Sequence, residues 1–345
     1  MSTTTIQDVA KAAGVSAMTV SRVINNKGYV KEKTREMVIE AINELDFKPN
    51  RIAKSLVTKK SQAIAFVVVN ISDPFYNQIG QGIESICYEN GYTVMICDTH
   101  SPRREKDYLN MLGEHRVDGV ILHHLAVDQD QIMKLEYSGI KCVLIDNEDD
   151  LPNVCSVDND NYLGGILAAE HLVEKGHTNI GCLMGTLQPR QDKNVPYEDT
   201  FQYRIWQKRT AGFKAGLSAH NIKKCSFFQC NGLFDEAELF IKEALEKIDM
   251  MEEKPTAIYC ENDIMAVALL SAVQKRGLKV PDDIAIIGHD GIELCRMVYP
   301  NITTIAQPCY DIGQLAAKTL IERINGNDEI KKAVLNPTLQ LGETT

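Results

Sequence analysis

Two groups of side chains in this sequence have types and spacings that could do chemistry. The first is the run Ala17 to Arg22, AMTVSR. Val20, with Val23 and Ile24 beyond it, falls on one face at helical spacing, which turns Ala17, Met18, Thr19, Ser21 and Arg22 outward. Small, polar and basic groups side by side on one helix face suit base edges and phosphates in a major groove. The second group is scattered, but most of its members follow an apolar run that reads as a strand. Asp73, Phe75 and Tyr76 come after the first such run, His123 and His124 after a later one, and Asp146 and Asn147 after the next. Asn262 with Asp263, and then Asp290, follow further runs, while Arg209 opens a helix pattern. Carboxylates, a guanidinium and amides at strand ends can hold sugar hydroxyls through charge-assisted, geometrically fixed bonds. Phe75 or Tyr76 could stack on a sugar face. The histidines read equally well as strand-end packing, and Asp263 reads better as the N-cap of the helix after it. No Ser or Cys sits in a nucleophile motif, and an isolated Asp–His pairing is too common to carry catalysis, so no catalytic residue is assigned and the chain is not read as an enzyme.

The elements that position the first group are short helices. Thr5 and Asp8 have the spacing of a capping box. Ile6, Val9, Ala10 and Ala13 then share a face, Gly14 offers the positive φ that ends a helix, and Ser16 is a second N-cap. Two short helices about a glycine turn are the helix-turn-helix pattern. A third helix should bury Val38, Ala41, Ile42 and Leu45. Pro49 breaks it, and Asn50 can cap a helix from Arg51 to Leu56 that is too short to persist without a partner.

The second group rests on a different pattern. From Ala63 the run AIAFVVVN is β-branched and continuous, as in a strand covered on both faces. Helix patterns at 74–89, 104–114 and 131–137 then alternate with strands at 93–97, 119–122 and 142–145. The alternation restarts with a helix at 165–174 and a strand at 180–184. Helices near 209–219, 236–248, 265–275 and 313–324 follow, with strands near 257–260, 284–288 and 303–305. Two βα series imply two similar lobes, each a parallel sheet covered by helices. The polar stretch 188–202 reads as an exposed loop, longer than most.

Bulk properties narrow the function. The chain has 345 residues, enough for two or three folding units. Its net charge of −10 hides an asymmetry: residues 1–60 hold eleven Lys and Arg against six Asp and Glu, a net of +5, so the remainder carries −15. A basic head on an acidic body suits a DNA binder with a separate control domain. No run of eighteen apolar residues suggests a membrane span, and the polar start suggests no signal peptide. The ten cysteines lack ligand spacing, which argues against metal and for reduced thiols in a cytoplasm.

Four segments in register, DVAKAAGVS, TVSRVIN, KTRE and FKPNRIAKSL, make the head resemble that of the lactose/galactose-repressor family. In the body DPFY, VDG, VDNDNYLGG, HLVEKGH, RTAGF, ENDIMA, IIGHDG and NITTIAQP extend the resemblance over nearly the whole chain. It implies an all-α helix-turn-helix head (1–46), a hinge helix and linker (47–61), and a two-lobed α/β body of type I periplasmic-binding-protein fold (62–345). The implied lobes are 62–160 plus 289–320, and 161–288 plus 321–345, with crossings near Asp158, Asp290 and Pro308. It implies a homodimer on a pseudo-palindromic double-stranded operator and a sugar or sugar-related effector between the lobes, without a cofactor. The DNA set is then Thr5, Ser16, Ala17, Met18, Thr19, Ser21, Arg22, Asn25, Tyr29, Thr34, Asn50, Lys54 and Leu56. Leu56 would wedge into the minor groove from one of two paired hinge helices. The effector set is Asp73, Phe75, Tyr76, His123, Asp146, Asn147, Arg209, Asn262, Asp290 and Gln307, with Arg209 and Asp290 as the family's contacting positions. Three features depart from the family: Lys31 in place of a capping Ser, the single carboxylate in His289-Asp290-Gly291, and the long loop. The rival readings are a transport binding protein, disfavoured by the basic head and the missing export signal, and a sugar-modifying enzyme, which turnover would reveal.

Overall fold

Helix α1 (Ile6–Ala12) begins at the capping box. The Asp8 carboxylate accepts from the Thr5 amide at 2.8 Å and from its hydroxyl at 2.7 Å, while the Asp8 amide donates to the Thr5 hydroxyl. Gly14, at φ 64°, then turns the chain, and the Val15 amide closes the helix end on the Ala10 carbonyl at 3.0 Å. Helix α2 (Ala17–Ile24) starts from Ser16, whose hydroxyl accepts from the Thr19 amide at 3.1 Å. Helix α3 (Glu32–Glu44) starts from Lys31 with no side-chain cap, as the departure at that position implies. Val9, Val20, Val23, Val38, Ala41 and Phe47 form the buried core that joins the three.

The computed structural model describes residues 4–24, 28–47, 60–100, 102–114, 116–123, 129–146, 153–185, 201–230 and 237–345. Asn25, Asn50, Lys54, Leu56, the expected hinge helix, His124, Asn147 and residues 186–200 lie outside them. The chain divides into two compact units, 1–61 and 62–345.

The body holds two sheets. The first runs β1 (Ala63–Val68), α4 (Pro74–Glu89), β2 (Thr93–Asp98), α5 (Pro102–Leu112), β3 (Gly119–Leu122), α6 (Gln129–Tyr137), β4 (Lys141–Ile145) and β5 (Cys155–Asn159). The second runs α7 (Asn161–Glu174), β6 (Asn179–Gly185), α8 (Phe201–Ala219), β7 (Lys224–Cys230), α9 (Ala237–Asp249), β8 (Ala257–Cys260), α10 (Asp263–Lys275), β9 (Ala285–Asp290) and β10 (Thr303–Ala306). The chain then returns through α11 (Cys309–Ile324) and β11 (Lys332–Leu335) to β12 (Thr338–Gln340). Strand orders are β11-β5-β4-β3-β1-β2 and β12-β10-β9-β8-β6-β7. All neighbours are parallel except β10 and β12. β1, β3 and β4 bury nearly every side chain, which is why they read as unbroken apolar runs.

These pairings correct the expected lobe boundaries. β9 and β10 are both in the second sheet, so the chain does not change lobes at Asp290. The crossings fall between β5 and α7, between β10 and α11, and between β11 and β12. Residues 321–335 therefore belong with the first lobe. α11 lies along α4 there, and Arg323 fixes it by a bidentate bond to Glu136 and a 2.8 Å bond to the Cys142 carbonyl. Strands β5, β7, β11 and β12 were not among the expected elements, and α8 begins at Phe201, inside the stretch read as a loop. No helix among the described residues is long and apolar enough to cross a membrane.

Candidate functional site

Each sheet repeats one strand order: β2-β1-β3-β4-β5 in the first, β7-β6-β8-β9-β10 in the second. In such sheets the helices switch faces beside the first strand, and the carboxyl ends there open a crevice. Asp73, His123, Asp146, Asn262, Asp290 and Gln307 stand at or just beyond strand ends, while Arg209 lies in the middle of α8 and does not open a helix as expected. From the first lobe, Asp73 caps α4, accepting from the Phe75 amide at 3.0 Å. The first turn of α4 brings Phe75 and Tyr76 into the core, edge-on to each other and to His123 beyond β3. The Tyr76 hydroxyl meets His123 Nδ1 at 3.1 Å, and His123 Nε2 lies 3.8 Å from an Asp146 carboxylate oxygen. Asp146 sits after β4 at φ 53° and accepts from the Asn159 amide at 2.8 Å.

The second lobe supplies the cation. Arg209 is 4% exposed. Its Nε donates to Asn161 at 2.9 Å, and its Nη1 donates to the Glu261 carbonyl and lies 3.0 Å from Asp290. Two glycines set that position: a Cβ on Gly165 would overlap the Arg209 carbonyl, and one on Gly212 would overlap that of Tyr162. With no Cβ at either, α7 and α8 close backbone to backbone and bring the guanidinium to Asn161. Gln307, just after β10, donates to Asp290 at 2.7 Å. Asp290 itself has φ 114°, in the left-handed region that a side chain disfavours. Asp263 holds this strained turn. One of its oxygens accepts from the Gly291 and Ile292 amides at 2.7 and 2.9 Å, the other from the Thr304 hydroxyl at 2.6 Å.

Asp263 is thus an anchor and not the N-cap. The cap of α10 is Asn262, which accepts from the Met265 amide at 2.8 Å. The Asn262 side-chain oxygen is engaged in its own helix, so its place in the effector set rests on proximity alone.

Charge is concentrated here. Enclosure and the neighbouring Asp290 push the Asp73 carboxyl up to about 7. Burial raises Asp263, with Asp290 adding to it, and raises Asp290 against the pull of Arg209. Burial holds His289 well below the usual imidazole range; its Nδ1 meets the Tyr259 hydroxyl at 2.7 Å and its Nε2 has no partner among the described residues. Asn161, Glu261 and Asp263 act on Arg209 or Asp290 without having been assigned. Their signal was adjacency: Asn161 lies within VDNDNYLGG, and Glu261 and Asp263 flank Asn262.

In the head, Met18 is 66% and Tyr29 88% exposed, and Arg22 is open to solvent. Thr19, Ser21 and Thr34 are half-buried. Ala17 was expected to face outward, but it packs partly against the core, because the first turn of α2 leans on it. The Thr5 and Ser16 hydroxyls are occupied in caps.

Two family models match the chain: bacterial regulatory proteins of the lacI family over residues 5–50, and a periplasmic binding protein-like domain over residues 169–345. The HTH-type transcriptional repressor PurR of Aliivibrio salmonicida (strain LFI1238) is 38% identical over 322 residues, 93% of this chain and 92% of the relative. Among solved structures, the lac repressor dimer bound to operator and the anti-inducer ONPF aligns with a TM-score of 0.84 at 28% identity, over 100% of this chain and 99% of the other. The transcriptional regulator CelR in complex with cellobiose aligns at 0.70 and 28%, over 99% and 100%.

Proposed function

Because the chain belongs to the lacI family of bacterial regulatory proteins, we propose that it is a homodimeric, cytoplasmic repressor released from or driven onto its operator by a sugar. Each head lays α2 in a major groove of one half-site, with Arg22 on a guanine and the capped helix starts near phosphates. The effector binds between the lobes, where Asp73 and Asp146 face Arg209 and Asp290.

The observation that carries this reading is the Arg209–Asp290 pair at the carboxyl edge of the second sheet. A buried guanidinium and carboxylate held by Asn161, Glu261 and Gln307 form a rigid set of donors and acceptors for hydroxyls. The strained Asp290 backbone supports a binding role over a merely structural one. Nothing in the set activates a nucleophile, so reversible binding is favoured over turnover.

The test begins with operators selected from random DNA by the full chain. Their affinity is then measured against a panel of sugars. A pseudo-palindromic consensus and a sugar-dependent shift are expected. Selected sites without a repeated half-site, or indifference to every sugar together with turnover of one, would reject the proposal.

A further inference from the structure

The cleft is built from carboxylates around a single guanidinium. Asp73, Asp146 and Asp290 come from three different strand ends. The Tyr76 hydroxyl and the Cys309 thiol, both buried, each feel all three of those charges, and the cation acting on both is Arg209. Asp263, fully buried, adds a further carboxyl close enough to feel Asp290. Arg209 is already offset by Asp290 at 3.0 Å. One oxygen of Asp73 accepts from the Phe75 amide, and one of Asp290 accepts from Gln307 and pairs with Arg209.

We infer that the effector is an uncharged, hydroxyl-rich molecule, and that the cleft rejects the phosphorylated or carboxylated form of the same sugar. The inference rests on the sugar reading above and narrows it. A neutral polyol brings O–H donors, and neighbouring hydroxyls can donate in pairs to carboxylate oxygens. An anionic group would instead be placed among two or three carboxylates in a partly desolvated cleft, where like charges are poorly screened. Specificity then comes from a repulsive element as much as from attraction. The same crowding acts on the protein itself: Asp73 faces Asp290 and Arg209 across the cleft, with Tyr76 on its own helix and the His123–Asp146 pair beyond. Burial first, and the Asp290 charge second, raise its carboxyl to about 7.

Calorimetry on the full chain should compare D-ribose, D-glucose and cellobiose, each beside its monophosphate. The neutral member of a binding pair is expected to bind at least about tenfold more tightly. A monophosphate that binds as well as its parent, or better, overturns the inference. A second variant tests the charge without any ligand. Asp73→Asn keeps an N-cap of equal quality and removes one charge. A carboxyl raised in the folded state withdraws stability as pH rises toward 7, so Asp73→Asn should melt several degrees higher than the parent at pH 8, and the gap should narrow at pH 5. An unchanged or lower melting temperature at pH 8 would show that Asp73 is not held as a costly buried charge, and takes away one of the charges the inference needs. If none of the six compounds binds, the sugar reading itself fails.

Discussion

Arg209→Met is the perturbation that separates the buried pair from its surroundings. Methionine keeps much of the length and apolar bulk of the stem but removes every donor. Three acceptors then lose partners: Asn161 Oδ1, the Glu261 carbonyl and the Asp290 carboxylate. Removing one member of a buried ion pair costs about 3–5 kcal/mol, because the other charge stays buried and unpaired. Asp290 can escape part of that cost by taking up a proton. Burial already raises its carboxyl, and Arg209 is what holds it down, so losing Arg209 lifts it further. A carboxyl raised in the folded state contributes stability that is present at low pH and lost as pH climbs through its folded value. The deficit of Arg209→Met should therefore be largest at pH 8 and shrink at pH 5. In the double variant Arg209→Met/Asp290→Asn no charge remains stranded, and a recovery of roughly 1–3 kcal/mol relative to the single change is expected. Urea unfolding at the two pH values reads all three proteins through the shift in midpoint. A single variant that loses under about 1 kcal/mol at pH 8, or a double variant worse than the single, would show that the pair does not carry the site.

Four further outcomes follow from the same geometry. Arg22→Ala should relax base preference at one position of each half-site, a loss of roughly 1–3 kcal/mol in discrimination, and an unaltered consensus in selected operators would remove Arg22 from base readout. Operator affinity should drop steeply with salt, since the head carries a net +5; a flat response would rule out phosphate-driven binding. Thr5→Ala breaks the capping box and should cost the head about 1 kcal/mol, seen as a lower melting temperature of that unit. Gly165→Ala forces α7 away from the Arg209 carbonyl and should weaken sugar binding while operator affinity without sugar stays within twofold or so; equal loss of both would mean that the variant simply unfolds.

The head was legible almost residue by residue because its determinants are local. A capping box, an αL glycine and apolar spacing act within a few positions, and each is found in the structure where the sequence places it. The body was legible where strands are covered on both faces. It was not legible at β5 and β7, whose sequences CSVDN and KCSFFQC mix polar with apolar residues. The misplaced crossing at Asp290 has a similar cause. A strained turn at a strand end looks like an exit, but whether the next strand returns to the same sheet depends on pairing that local sequence does not encode: Thr303 to Ala306 against Ile287 to Asp290. Within the site, Asn262 and Asp263 are both good caps. The tie is broken by the Gly291 and Ile292 amides and the Thr304 hydroxyl, which claim Asp263 from residues 28 to 41 positions away.

The same geometry bounds how a sugar could control DNA binding. A ligand moves an equilibrium only by its differential affinity for the two states, and a hundredfold change in operator affinity requires about 2.7 kcal/mol of difference. That is the size of one or two charge-assisted hydrogen bonds made in one lobe arrangement and missing in the other. The cleft is suited to such a difference because its halves are held independently. Asp73, His123 and Asp146 are fixed by α4, the Asn159 amide and the first sheet. Arg209 and Asp290 are fixed by Asn161, Glu261, Gln307 and, through the turn, Asp263. A hydroxyl ligand that bridged two halves held in this way would read the separation of the lobes directly. Contacts confined to one half would be equally good in both arrangements and would shift nothing, however tight. On the proposed sugar reading, the residues that matter for control are those that reach the ligand across the crossings, which assigns that role to Asp73 and Asp146 on one side and Arg209 on the other.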